Sequence, residues 1–171
     1  MDKESEQCKD VYAHFGLALY LAQCLEQAMI HLIVFLDHFP KAAASFTTKE
    51  NWKYDYDKFF EGENKRTMGQ LIGRLQKIDI PCDKLKIKLK EALTKRNWLA
   101  HAYFSERSME FMSEAGRLKM ISELELAQQL FSEIDTDVSS IYYEIADKNG
   151  LTEEVLNQIM EEMLVEANSD L

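Results

Sequence analysis

The sequence lacks a disulfide or metal framework. Its three cysteines, Cys8, Cys24 and Cys82, are scattered and odd in number, with no C-x-x-C pair and no histidines at zinc-finger spacing. They read as reduced thiols, and neither a metal nor another cofactor is expected. Long apolar runs are missing as well. The most apolar stretch, 15–39, is interrupted by Gln23, Glu26, Gln27, His31 and Asp37, which marks a buried helix and not a membrane span. Met1 leads into acidic and polar residues with no signal-peptide pattern, so a cytoplasmic location is the expectation. No Gly-rich phosphate loop, internal repeat or apolar/polar alternation of the kind a sheet needs is visible. Excess positive charge is also absent. With a formal net charge of -10, general attraction to nucleic acid is excluded, and any RNA has to be held at a local basic patch.

What is present is helical periodicity within 171 residues, a length that suits one domain, 1–171, with a real core. The pattern predicts an all-α helical bundle of about five to six helices, two of them long. The first, over 6–38, carries Phe15, Leu19, Ala22, Leu25, Met29, Leu32, Ile33 and Leu36 at three- and four-residue steps, and Pro40 closes it. Leu17, Leu21, Ile30 and Val34 widen its apolar surface beyond what one neighbour covers, so the helix is central to the bundle or shared with a second subunit. His14, His31 and His38 ride on or near it without ligand spacing and read as structural. Over 41–64 the pattern loosens and ends in a turn at Glu61-Gly62-Glu63-Asn64. Its Trp52, Tyr54 and Tyr56 suit either stacking on bases or covering a core edge. A short helix starts at Thr67, its Gly69 and Gly73 marking either close approach of a neighbour or a tolerated weak helix, and it breaks at Ile80-Pro81. Asp83 then caps a helix over 84–104. A second loose region, 105–115, leads into a long helix over 117–148 that stops at Asn149-Gly150. A final amphipathic helix is expected over 151–166.

The chemistry concentrates at the end of the 84–104 helix. At about 100° per residue, Asn97 and His101 stand one turn apart on one face, continued backward by Thr94, Lys90 and Lys86. Leu85, Ala92 and Leu99 point the other way. Arg96 sits slightly round the helix, its stem long enough to swing the guanidinium toward the imidazole. A guanidinium is a fixed cation with a planar fork of donors for phosphate, and an imidazole takes or gives a proton near neutrality. Together they suit a phosphodiester better than most substrates, although a single Arg and a single His on one helix are more often a solvated charge and an N–H donor to a carbonyl. Between Lys65 and Arg96 the chain also holds Arg66, Arg74, Lys77, Lys84, Lys86, Lys88, Lys90 and Lys95 against only Asp79, Asp83 and Glu91. This segregation makes Lys86, Lys90 and Lys95 the expected RNA-binding cations, although a solvated lysine-rich helix face gives the same pattern.

Arg96-Asn97, three residues, then His101 resembles the R-N-x3-H signature of the HEPN superfamily, all-helical "higher eukaryotes and prokaryotes nucleotide-binding" domains. Tyr103 extends the likeness to the R-x4-H-x-Y form of toxins paired with a minimal nucleotidyltransferase antitoxin. The resemblance covers about ten residues. It implies a metal-independent endoribonuclease of a toxin-antitoxin or anti-phage defence system, acting as a homodimer on RNA with Arg96, Asn97 and His101 as catalytic residues. In that branch the tyrosine is a site of adenylylation, which makes Tyr103 a possible modification site. The chain is longer than the compact toxins of that branch by about a helical hairpin. The alternative implied by the same superfamily is an inactive, dimerising module that binds nucleotides or partners.

Overall fold

The computed structural model describes residues 3–78 and 83–152, together with 154, 155, 157, 158, 161 and 165. Among them the elements are helices: α1 (Lys3–Ile33), a π-helical turn (Val34–His38), α2 (Phe39–Ala44), α3 (Lys49–Asn64), α4 (Met68–Ile78), α5 (Asp83–His101), α6 (Tyr103–Glu106), α7 (Ser108–Phe111) and α8 (Glu114–Lys148). The expected all-α bundle with two long helices is what forms. The predicted break at Ile80-Pro81 and half of the predicted 151–166 helix lie outside the described residues; Leu151 and Thr152 are not helical, and the other described positions of that stretch are.

α1 and α8 form the frame and run parallel. Going up α1, Lys3 meets Glu114, Gln7 meets Arg117, His14 meets Gln128 and His31 meets Tyr142. α5 runs against α1, with Glu26 beside Arg96 and Phe15 beside Tyr103. The core lies between them: Leu25, Met29, Leu32 and Ile33 from α1, Leu71 and Leu75 from α4, Leu89 and Leu99 from α5, and Leu124, Phe131, Ile134 and Val138 from α8 are all buried. Each large apolar side chain withdrawn from water contributes about 1.5–3 kcal/mol before the entropy of ordering is set against it. The helical stretch Lys3–Ala44 is long and apolar enough to cross a membrane by length and composition, as core helices also are, and 44% of its most apolar window is buried in this bundle.

Pro40 does not close the first helix. Phe39 N–H reaches back to the carbonyl of Val34, five residues earlier, and this wider turn delivers Pro40 into the first turn of α2. There a missing N–H has no intrahelical partner to lose. The helix therefore changes register and runs on to Ala44.

The segment expected to be loosest, 41–64, is mostly the regular helix α3. Thr48 caps it, its hydroxyl accepting from Asn51 N–H at 3.2 Å. Trp52 and Tyr56 stack on each other and Tyr56 on Phe60, one step of four residues at a time, and this stripe packs on Phe39 and His31. Glu61-Gly62-Glu63-Asn64 is still helical, because Glu63 is buried and paired with Arg74 (3.1 Å) and Arg66 (2.9 Å). Arg74 also holds Asp37 at 2.8 Å, tying α4 to the π turn. A Cβ on Gly69 would make only ordinary contact with Leu93 of α5, at 3.6 Å, and one on Gly73 would meet nothing, so neither glycine marks a close helix approach. Gly116 is the tighter case. A Cβ on it would lie 2.1 Å from the backbone carbonyl oxygen of Glu110, so α7 and α8 meet at a distance only glycine permits.

Candidate active site

α5 owes its orientation to Leu85, Leu89, Ala92 and Leu99, which are buried and turn the opposite face outward. On that outward face Lys90, Thr94, Asn97 and His101 are exposed. Thr94 returns its hydroxyl to the carbonyl of Lys90 at 3.0 Å and presents no free donor. Asn97 and His101 follow one turn apart. Among the described residues the His101 ring makes no hydrogen bond or ion pair, so both ring nitrogens are open to whatever approaches.

Arg96 takes a different direction from the one its sequence position suggests. Instead of swinging toward the imidazole, its guanidinium crosses to α1, where Nε lies 3.4 Å from Glu26 Oε1, and one terminal nitrogen donates to Asn97 Oδ1 at 3.4 Å. Both contacts are long for charge-assisted bonds. Glu26 is largely buried, and burial pushes its carboxyl above the usual range while the Arg96 charge pulls it back. Its Oε1 has no aligned hydrogen-bond donor. The pair is therefore loose enough to open for a better anion, since a phosphate offers the guanidinium a bidentate partner that this carboxylate does not. Glu26 is the residue that sequence reasoning missed. Its only signal was a charge interrupting an apolar run.

The helix ends at His101. Ala102 leaves the helical region at φ -130 and ψ -21, and the chain restarts as α6. Tyr103 follows buried Leu99 by four residues and so lies on the inward face. It is fully buried, its hydroxyl donates to the carbonyl of Met120 at 3.0 Å, and its ring is held by Phe15, Trp98 and Phe104. Burial drives its phenol far above the usual tyrosine range. In this packing the hydroxyl is out of reach of a modifying enzyme, and it bonds neither Arg96 nor His101.

The nominated cations differ from one another. Lys86 lies 3.1 Å from Asp83, Lys95 sits 4.6 Å over the Trp98 ring, and Lys90 is exposed with no ion pair among the described residues. Lys88, between them, holds Asp137 of α8 at 2.5 Å. Trp98 is itself clamped: Arg107 covers it at 5.2 Å, and its indole N–H donates to Glu106 at 2.8 Å. Trp52 and Tyr56 are likewise occupied with each other, leaving Tyr54 as the exposed ring of the three aromatic residues considered for base stacking.

The surface that results is an open shelf. His101 and Asn97 stand at its edge, Lys90 lies two turns back along α5, and Arg96 is held at its inner side against Glu26. Compared with family models, with curated proteins and with solved structures, the chain matches none.

Proposed function

We propose that this chain is a metal-independent endoribonuclease of the HEPN kind, working as a homodimer in a toxin-antitoxin or defence setting. The observation that supports it best is the pairing of an exposed, unbonded imidazole with an amide one turn away and a loosely held arginine beside them, in the R-N-x3-H order. In this reading Arg96 leaves Glu26 to hold a non-bridging phosphate oxygen and to offset the charge that builds in the transition state. Asn97 orients the phosphate, and Lys90 with Lys86 and Lys95 steers the RNA backbone. The ribose 2'-oxygen attacks phosphorus while a His101 ring takes its proton; the bond from phosphorus to the 5'-oxygen breaks, and that oxygen receives a proton from a second imidazole. The products are a 2',3'-cyclic phosphate and a 5'-hydroxyl. One chain brings one His101, so a two-fold dimer that sets two copies face to face supplies base and acid together.

The experiment is RNA cleavage by purified protein and by His101→Ala and Arg96→Ala variants, with oligomeric state measured alongside. Loss of cyclic-phosphate products in both variants, with dimerisation and helicity intact, is the expected result. Undiminished cleavage by His101→Ala would remove the imidazole from the mechanism. A second reading is favoured by the Arg96–Glu26 contact itself: an arginine engaged within its own chain fits a non-catalytic dimerising or nucleotide-binding module, which would bind RNA or nucleotide without cutting it.

A further inference from the structure

Carboxylates lying between helices in this molecule are paired. Asp37 holds Arg74 and Lys41, Glu63 holds Arg66 and Arg74, Glu123 holds Arg107, and Asp137 holds Lys88. Asp135 breaks the pattern. It is half-buried on α8, accepts no hydrogen bond and meets no cation among the described residues, and burial alone pushes its carboxyl above the usual range. Partial loss of water at such a carboxylate disfavours its charge, and a cation seated beside it would restore what burial removes.

The space for such a partner exists. Asp135 lines an open groove of about 590 Å3 between α1 and α8. Much of its lining is short side chains from both helices, Cys24 and Ala28 of α1 and Thr136, Ser139 and Ser140 of α8. The groove's wall is aromatic: Tyr142 and Tyr143 lie with ring centroids 4.6 Å apart, and His31 meets Tyr142 edge-on at 5.7 Å. No lysine or arginine lines it, and burial holds His31 toward its neutral form. One unpaired anion, hydroxyl groups and electron-rich ring faces, with no resident cation, complement a single ligand class. A small ammonium ion with apolar substituents satisfies the charge and the rings at once.

We propose that the α1/α8 groove is a binding site for an organic ammonium ion, with Asp135 as its counter-ion and the Tyr142 and Tyr143 rings as its wall. The site is separate from the nuclease face, since none of its lining residues belongs to α5. It therefore stands or falls independently of the proposed reaction.

Benzyltrimethylammonium is the probe, titrated into 15N-labelled full-length protein to about 10 mM, a range that reveals millimolar dissociation constants. Saturable amide shifts clustered at 24–31 and 135–143 are expected. Benzyl alcohol, which keeps the ring and lacks the charge, should bind at least about tenfold more weakly. Asp135→Asn should weaken the ammonium by about tenfold or more, whereas Glu133→Gln, an exposed neighbour on the same helix, should leave it unchanged. Circular dichroism confirms that both variants are folded. Shifts scattered over the acidic surface, equal affinity in Asp135→Asn, or no saturable shift in the unaltered protein would each overturn the proposal. Should Asp135→Asn fail to fold, Tyr142→Leu read against the benzyl alcohol control decides the same question through the aromatic wall.

Discussion

His101 and Tyr103 are two residues apart and occupy opposite environments. The imidazole closes α5 on the exposed side, unbonded and accessible, whereas the phenol opens α6 on the buried side, its hydroxyl committed to Met120 and its ring packed on three others. The cause is helical phase: Tyr103 follows buried Leu99 by four residues and so falls on the inward face, and Ala102 before it leaves helical geometry. A continuous helix would have put Tyr103 about 200° from His101, and the kink adds the depth. A run of adjacent chemically capable residues thus divides into an exposed face and the packing that fixes it. The difference teaches that adjacency in a motif does not imply a shared role, and each member has to be tested in the environment it occupies.

The largest expected effect falls on the exposed side. His101→Ala should lower RNA cleavage by about a hundred- to ten-thousand-fold, the range that removing a general acid or base costs, while the midpoint of thermal unfolding moves little because the ring touches nothing that folding needs. Cleavage kinetics and a melting curve on the same preparation check both halves. A large fall in melting temperature would mean that His101 belongs with Tyr103 after all, as structure and not chemistry.

Tyr103 should show the inverse pattern. Tyr103→Ala empties a site between α1, α5 and α8 and is expected to cost about 3–5 kcal/mol. Tyr103→Phe keeps the ring and removes only the hydroxyl bonded to Met120, for about 1 kcal/mol. Denaturant titration measures both. Specific activity of the folded Tyr103→Phe protein should stay near that of the unaltered chain, so a strong loss of cleavage without a loss of stability would return the phenol to the reaction.

Much of this division was legible beforehand. The periodicity of Leu85, Ala92 and Leu99 placed Asn97 and His101 outward, and outward they are. The two long helices and the stop at Asn149-Gly150, where Gly150 adopts φ 83, were also readable, whereas Gly69 and Gly73 face no helix close enough to need them. What escaped depended on contacts distant in sequence. From sequence α3 reads as loose because its aromatic stripe, Trp52, Tyr56 and Phe60, sits among acids, and only docking on Phe39 and His31 gives that stripe a purpose. Pro40 signals a stop to any local rule, and the π turn that absorbs it is a property of hydrogen-bond register, invisible in composition. Glu26 reads in the sequence only as an interruption of an apolar run, because its partner Arg96 lies 70 positions away.

Gly116 tests how firmly the buried side is held. Its first-turn position in α8 brings the Glu110 carbonyl to within 2.1 Å of any added Cβ, and Met120, the acceptor for Tyr103, lies one turn further along. Gly116→Ala should force α7 away and cost about 1–3 kcal/mol, as overpacking a tight contact does. The loss would appear as a lower denaturation midpoint and, where α7 shifts, as faster hydrogen exchange at 108–112. A neutral or stabilising Gly116→Ala would show that α7 yields freely and that the packing behind the motif is softer than the contact implies.

The smallest effect contrasts two histidines. His101 stands in solvent, whereas His31 is largely buried, stacked on Phe60, and burial lowers its pKa below 6.5. In the unfolded chain His31 binds its proton at the ordinary value, so between the lowered value and 6.5 the unfolded state carries more protons than the folded one. Stability from this residue is then fully present above about pH 6.5 and is lost as pH falls through the lowered folded value. His31→Phe keeps a ring against Phe60 and cannot titrate, so melting temperature plotted against pH on the acid side of neutrality should become flatter. It should not become flat, because burial lowers His38 in the same direction. An unaltered slope in His31→Phe would mean that the ring is hydrated enough to hold its proton in the folded state, which would place it on the open side of the divide with His101.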